Sequence, residues 1–194
     1  MPIEIEAKMK LPDDLDLTDK LRQLDATPVY HVIERDAFFD TDDRHLFTAD
    51  CAIRLRIRRH IDHDQSQSAW LTYKGARQEG QLKSREEIEF KIEGSDQAIQ
   101  LFDRLGYKLN ARYEKRRERW KLDGCFIELD QIPYLGRFIE IEGPTEVIIM
   151  QVRSKLDLDQ FPLLTESYIR MLTQYLTEHN IKDCDILLPT EHSE

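Results

Sequence analysis

The sequence predicts an α+β protein built on an antiparallel sheet able to curl into a barrel. Three observations predict it. Apolar and ionised residues alternate with period two in one segment after another. Successive segments late in the chain are joined by turns too short for crossover helices, so they must form hairpins. Helical spacing is confined to the stretches between and after the strands.

The first strand is the clearest. Ile3-Glu4-Ile5-Glu6-Ala7-Lys8-Met9-Lys10-Leu11 alternates strictly, giving two unlike faces. Pro12-Asp13-Asp14 ends it, and Leu15, Leu17, Leu21 and Leu24 follow at roughly helical spacing. Phe38-Phe39-Asp40 opens a short extended piece that stops at the turn signal Asp42-Asp43. Residues 52–61 set Ile53, Leu55 and Ile57 against Arg54, Arg56 and Arg58, and a polar loop over 62–68 leads to a strand over 69–75. Residues 84–92 oppose Arg85, Glu87, Glu89 and Lys91 to Ile88, Phe90 and Ile92. A helix is expected after Ser95, with Gly106 closing it. Three more strands cover 113–122, 126–132 and 138–142, with Gly124 and the stretch 133–136 as turns. Helices are expected over 145–156 and 166–179. One domain over 1–185 and a tail over 186–194 complete the expectation, with no repeat and no Gly-, Pro- or Ser-rich linker between.

The polar face of these strands is unusual. An ordinary amphipathic sheet mixes Thr, Ser and Gln into its wet side. Here long ionised side chains recur at almost every step and sort by strand: Arg54 to Arg58 is purely basic, Glu140 and Glu142 purely acidic. Like charges on one face repel, so such rows need opposing rows or a ligand. A barrel with apolar residues and helices outside would leave a charged lumen. A triphosphate, carrying about four negative charges, suits guanidinium forks and lysine ammoniums. Carboxylates beside those cations are explained if they hold Mg²⁺ or Mn²⁺, which take oxygen ligands. Glu-x-Glu on a strand sets two carboxylates on one face ~6–7 Å apart, close enough to share metal.

Glu4-Ile5-Glu6-Ala7-Lys8 resembles the ExExK signature of the CYTH superfamily, the triphosphate tunnel metalloenzymes. Arg54-Leu55-Arg56 is similar to its RxR strand, Leu71-Thr72-Tyr73-Lys74-Gly75 to its LTxKG strand, and Arg85-Glu86-Glu87-Ile88-Glu89 to its RxExE strand. Lys115-Arg116-Arg117 resembles its KxR element. Glu128-Leu129-Asp130 and Phe138-Ile139-Glu140-Ile141-Glu142 look like its final acidic strands, and the stretch from Glu166-Ser167-Tyr168 to Leu172 like the segment near its C-terminal helix. The resemblance implies a closed eight-stranded antiparallel tunnel with helices packed outside. It implies that Lys8, Arg54, Arg56, Lys74, Arg85, Lys115 and Arg117 grip phosphate oxygens. Glu4, Glu6, Glu140 and Glu142 would hold Mg²⁺ or Mn²⁺, with Asp130, Glu87 and Glu89 as further ligands or orienters. The implied activity is hydrolysis of tripolyphosphate or a small organic triphosphate such as thiamine triphosphate. The alternatives are a class IV adenylyl cyclase acting on ATP and a non-catalytic polyphosphate or nucleotide binder.

The remaining residues read more plainly. Lys10 and Arg58 share the charged faces but lie one step outside the motifs. The stretch from His60 to Asp64 has a metal-like composition without a ligand frame, and a surface loop is expected. Trp70 and Trp120 suit packing or the barrel rim, Tyr168 a helix closing one tunnel end, and Cys125 inert core. Cys51, Cys125 and Cys184 are too scattered for a disulfide framework, and the first ten residues lack an apolar run, so the cytoplasm is the expected location. A net charge of -10 disfavours nucleic acid and acidic membranes as partners. A monomer and a homodimer fit the sequence equally.

Overall fold

A computed structural model describes residues 3–61, 66–80, 82–181 and 185–188. The elements run β1 (Ile3–Leu11), α1 (Thr18–Gln23), β2 (Thr27–Asp40), α2 (His45–Thr48), β3 (Ala52–His60), β4 (Gln67–Arg77) and β5 (Lys83–Ile92). They continue with α3 (Ser95–Arg104), β6 (Lys108–Leu122), β7 (Cys125–Ile132), β8 (Gly136–Glu142), α4 (Glu146–Lys155), α5 (Tyr168–Glu178) and β9 (Asp185–Ile186). Residues 62–65 of the expected loop, Cys184 and residues 189–194 lie outside the described residues.

Eight strands close a ring in the order β2-β3-β4-β5-β1-β8-β7-β6, and β2 pairs with β6 to seal it. Every pairing within the ring is antiparallel. The short β9 adds in parallel to β6 at Arg112 and Tyr113. The β6–β7 hairpin turns on Asp123 and Gly124, both at positive φ, the conformation that a two-residue Asp-Gly hairpin demands.

Two of the apolar cores lie outside the ring, and another plugs one of its ends. Ala7, Met9 and Leu11 of β1 join Ile127, Ile139 and Ile141 beneath Leu21 of α1 and Ile149 and Val152 of α4. Thr145 caps α4 by accepting a hydrogen bond from the Ile148 amide at 3.3 Å. A second cluster packs Leu172 and Tyr168 of α5 on Tyr113, Ile132 and Phe138, which share the inward face of their strands and close one end of the ring. A third packs Phe102 of α3 on Ala37, Phe39 and Leu55. With apolar side chains covered from outside, period two turns the ionised ones into the ring. No described helix is long and apolar enough to cross a membrane.

Three expectations need correction. The extended piece expected from Phe38 is the last part of β2, which starts at Thr27 and runs fourteen residues. The strand expected from Tyr113 starts at Lys108. Ile186, expected in the tail, is buried and belongs to β9.

Candidate active site

A cavity of about 380 Å³ runs inside the barrel. Ten cationic and seven acidic side chains line it, so it is a cation-rich site and not an apolar pocket. Glu34, Asp36 and Asp130 stand behind this lining, essentially inaccessible. They balance the surplus of positive charge.

Strand register decides who meets whom. On β1, Glu6 lies opposite Glu142 and Lys8 opposite Glu140, while Glu4 lies opposite Arg85 of β5. On β2, Asp36 lies opposite Arg56 and Glu34 opposite both Arg58 and Lys115. The opposing acidic row that the arginines of β3 require is therefore β2.

That row organises one wall. Arg56 donates from Nε and Nη2 to the two oxygens of Asp36 at 2.6 and 2.7 Å, and its Nη1 lies 3.0 Å from Glu34. Arg58 Nε donates to Glu34 at 2.9 Å. Lys115 Nζ donates to Asp130 at 3.2 Å and lies 3.4 Å from Glu34. Arg117 forks onto Asp130, pairs with Glu128 and donates to Glu140 at 2.6 Å. Lys8 Nζ stands 3.1 Å from Glu140. Burial alone would raise the Glu34 and Asp36 carboxyls, but Arg56 and its neighbours outweigh it and hold both below the usual range. Glu140 is likewise held well below by Lys8 and Arg117 against its burial. Burial, with repulsion from Lys83, brings Lys8 down to about 8. Glu128 is pushed up to about 7, chiefly by burial.

The other wall is less tightly paired. Arg54 donates to Glu89 at 2.9 Å and Thr72 at 3.0 Å, and Lys74 to Glu87 at 2.5 Å, with Glu4 3.5 Å away. Lys83 donates to Glu6 at 2.5 Å. Arg85 is buried, its nearest carboxylate contact is Asp50 at 3.9 Å, and its Nε has no hydrogen-bond partner among the described residues. Arg54 Nε is likewise buried without a hydrogen-bond partner among the described residues. Buried guanidinium donors left open inside a cavity fit an anion whose oxygens would complete them.

Hard divalent ions were the other expectation. The donors Glu4, Glu6 and Glu142 are all oxygen, as Mg²⁺ and Mn²⁺ require. Glu4 is raised by burial and by its neighbour Glu87, and Glu142 by burial and by Glu4 and Glu6. Carboxyls that repel one another in this way are stabilised by a shared cation, so the chemistry fits. As they stand, no three such groups among the described residues converge on one point able to hold an ion. Asp130 and Glu140 face arginine and lysine instead, and Glu87 and Glu89 face Lys74 and Arg54.

All fourteen residues singled out from the sequence lie on the ring, and all but Asp130 line the cavity itself. Arg58 lines it as well, whereas Lys10 is exposed and lies 6.0 Å from the Phe138 ring. Trp120 and Cys125 are core, and Trp70 is partly buried with Arg58 5.8 Å from its ring. Tyr168 reaches the cavity from α5. Sequence reasoning missed Glu34, Asp36 and Lys83. The signal for the first two was the unanswered arginine row of β3.

The pattern of ordered motifs, closed ring and charged lumen matches known proteins. The CYTH domain family model matches residues 2–149. The chain belongs to the CYTH domain family. CYTH proteins act on small triphosphate compounds, as triphosphatases or adenylate cyclases. Over 178 residues this CYTH chain is 28% identical to a Methanocaldococcus jannaschii protein that bears the provisional name adenylate cyclase, covering 87% of this chain and 98% of the relative. A protein from Pyrococcus horikoshii OT3 has the same fold with a TM-score of 0.77 at 29% identity, over 89% of this chain and 99% of that one. A Hippeastrum protein, described as an adenylyl cyclase by provisional name with a dominant triphosphatase activity, gives a TM-score of 0.66 at 18% identity. It covers 98% of this chain and 100% of that one, and at that identity the likeness is one of fold.

Proposed function

We propose that this CYTH protein is a divalent-metal-dependent phosphohydrolase acting on inorganic triphosphate or a small organic triphosphate. The observation that carries this is the charge balance of the lumen. Ten cations line it, seven acids share the lining, and three more acids stand behind. A bare triphosphate would bring about four uncompensated negative charges into this low-dielectric space. A triphosphate carrying divalent ions is close to neutral overall, and its separated charges match the separated bases and acids of the walls.

The division of labour follows from the walls. Arg54, Arg56, Lys74, Arg85, Lys115, Arg117 and Lys8 bind phosphate oxygens and neutralise charge on the departing phosphates. In phosphoryl transfer, positioning and neutralisation account for most of the acceleration. Asp36, Glu34 and Asp130 hold the guanidinium forks in place. Glu4, Glu6 and Glu142, with Glu140 beside them, would hold Mg²⁺ or Mn²⁺, which supplies Lewis-acid charge and a more acidic water. The enclosing ring keeps bulk water from weakening these interactions.

A class IV adenylyl cyclase is the second reading, favoured by the name of the archaeal relative. It requires recognition of adenine, yet no Asn or Gln among the described residues lines the cavity to read a base edge. Purified protein with Mg²⁺ or Mn²⁺ is to be given tripolyphosphate, thiamine triphosphate and ATP. Phosphate release supports the hydrolase; cyclic AMP with pyrophosphate selects the cyclase; tight binding without either product leaves a binding module.

A further inference from the structure

The start of α5 enters one end of the tunnel. Ser167, Tyr168 and Ile169, the N-cap and the first two helical residues, all line the cavity. The helix runs eleven residues, long enough for its aligned peptide dipoles to concentrate positive charge there. The N–H groups of Tyr168 and Ile169 precede the first intrahelical acceptor, whereas the Arg170 amide already donates to the Ser167 carbonyl at 3.0 Å, and the Ser167 side chain makes no capping hydrogen bond.

An independent feature points to a ligand at the same place. Tyr168 is only 5% exposed, and its hydroxyl is buried without a hydrogen-bond partner among the described residues. An unsatisfied buried hydroxyl costs free energy that a bound acceptor would recover. Lys8 Nζ lies 4.0 Å from the centre of the Tyr168 ring and Lys115 Nζ 5.2 Å from it. The assembly is anchored: Lys8 Nζ donates to the Glu166 carbonyl at 3.0 Å, and the Leu164 amide donates to the Lys8 carbonyl at 2.8 Å. Behind it, Phe138 meets Tyr168 edge-on at 5.1 Å, and Leu172, Ile132 and Ile186 fill the space beyond.

We infer that this closed end is a subsite for the terminal phosphoryl group of the substrate, bound by the Tyr168 and Ile169 amides, the Ser167 and Tyr168 hydroxyls and Lys8. The inference rests on the triphosphate reading above. A terminal phosphoryl offers three unesterified oxygens and can accept from donors on several sides. An internal or esterified phosphoryl offers two and brings a substituent for which the apolar packing behind Tyr168 leaves no room. The subsite therefore selects chain ends. It also sets the direction of binding: any organic group points to the opposite mouth, where Arg58 and Arg119 lie 4.8 and 5.9 Å from the Tyr30 ring.

The test is equilibrium binding by calorimetry, with Mg²⁺, of tripolyphosphate and of diadenosine triphosphate, whose two ends are both esterified. Wild-type protein is expected to prefer tripolyphosphate by at least about tenfold, and the double variant S167A/Y168F to lose about tenfold for tripolyphosphate only. A merely structural role for the pair would weaken both ligands alike. Equal affinity of wild-type protein for the two ligands overturns the subsite and leaves the triphosphate reading standing. An equal loss for both in the double variant overturns it as well. Failure of wild-type protein to bind tripolyphosphate at all overturns the triphosphate reading itself.

Discussion

Asp36 grips Arg56 from behind the lumen wall, accepting from Nε and Nη2 at 2.6 and 2.7 Å with its own carboxylate wholly shielded from water. A guanidinium held by such a fork presents its remaining donor edge in a fixed direction. It also depends on its partner, because a buried cation without a counter-charge is costly.

Replacing Asp36 by Asn keeps the shape and removes the charge. The expected cost is about 3 kcal/mol of unfolding free energy at neutral pH, measured by urea denaturation. A loss below about 1 kcal/mol would show that Glu34 alone suffices for Arg56. The pH dependence has a definite sign. Asp36, Glu34 and Glu140 have carboxyls held below their ordinary values, so their stabilisation is complete above the ordinary carboxylate range. It disappears only as pH falls through the lowered values.

Glu4→Gln and Lys74→Ala act on the less tightly paired wall. Each is expected to lower kcat by about 10²-fold or more while leaving the melting temperature close to wild type. Steady-state phosphate release and a thermal melt check this together. Wild-type turnover in both variants would remove Glu4 and Lys74 from the site.

Charge balance makes a thermodynamic prediction about metal. Tripolyphosphate and Mg²⁺ added together are expected to raise the melting temperature by more than the sum of their separate effects. Chelation with EDTA should abolish both the excess and the turnover. A full shift from tripolyphosphate alone would mean that the walls need no cation to accept it.

Lys8 carries a proton question. With its ammonium down at about 8, the free protein loses that charge as pH rises through this value, and a bound triphosphate should restore it. Binding near pH 8 is therefore expected to take up protons, visible in calorimetry as a dependence of the heat on the buffer, and affinity should decline at higher pH. Because the unfolded chain holds this proton more tightly than the fold does, Lys8 opposes folding below about 8, and that penalty fades as pH rises. Heats independent of buffer would sink the assignment.

Much of this site was readable before any coordinates because lumen and exterior differ in kind. On β1, over residues 53–58 of β3 and over residues 139–142 of β8, one face is ionised and the other apolar, so period two is unmistakable. On β2 it is blurred. Its lumen side carries Val32 and Phe38 beside Glu34 and Asp36, and its other side carries Arg35 and His31 beside Ile33 and Phe39. The two faces look alike in hydropathy, and the strand that supplies the counter-charges passed unseen. Lys83 was missed because it sits at the very first position of β5. β9 is two residues long, too short to have any period.

The seam between β2 and β6 brings residues 27–40 against 108–121, so the chain must close a loop of roughly eighty residues before the ring exists. The arginines of β3 meet their acidic row earlier, in the pairing of the consecutive strands β2 and β3, but until the seam closes Lys115 and Arg117 of β6 lack Glu34. Closure of the ring and completion of the binding wall by β6 are thus a single late event. Pairing of such long range favours slow folding, and a polyanion with its metal, present while the chain folds, would act as a template that speeds the final closure.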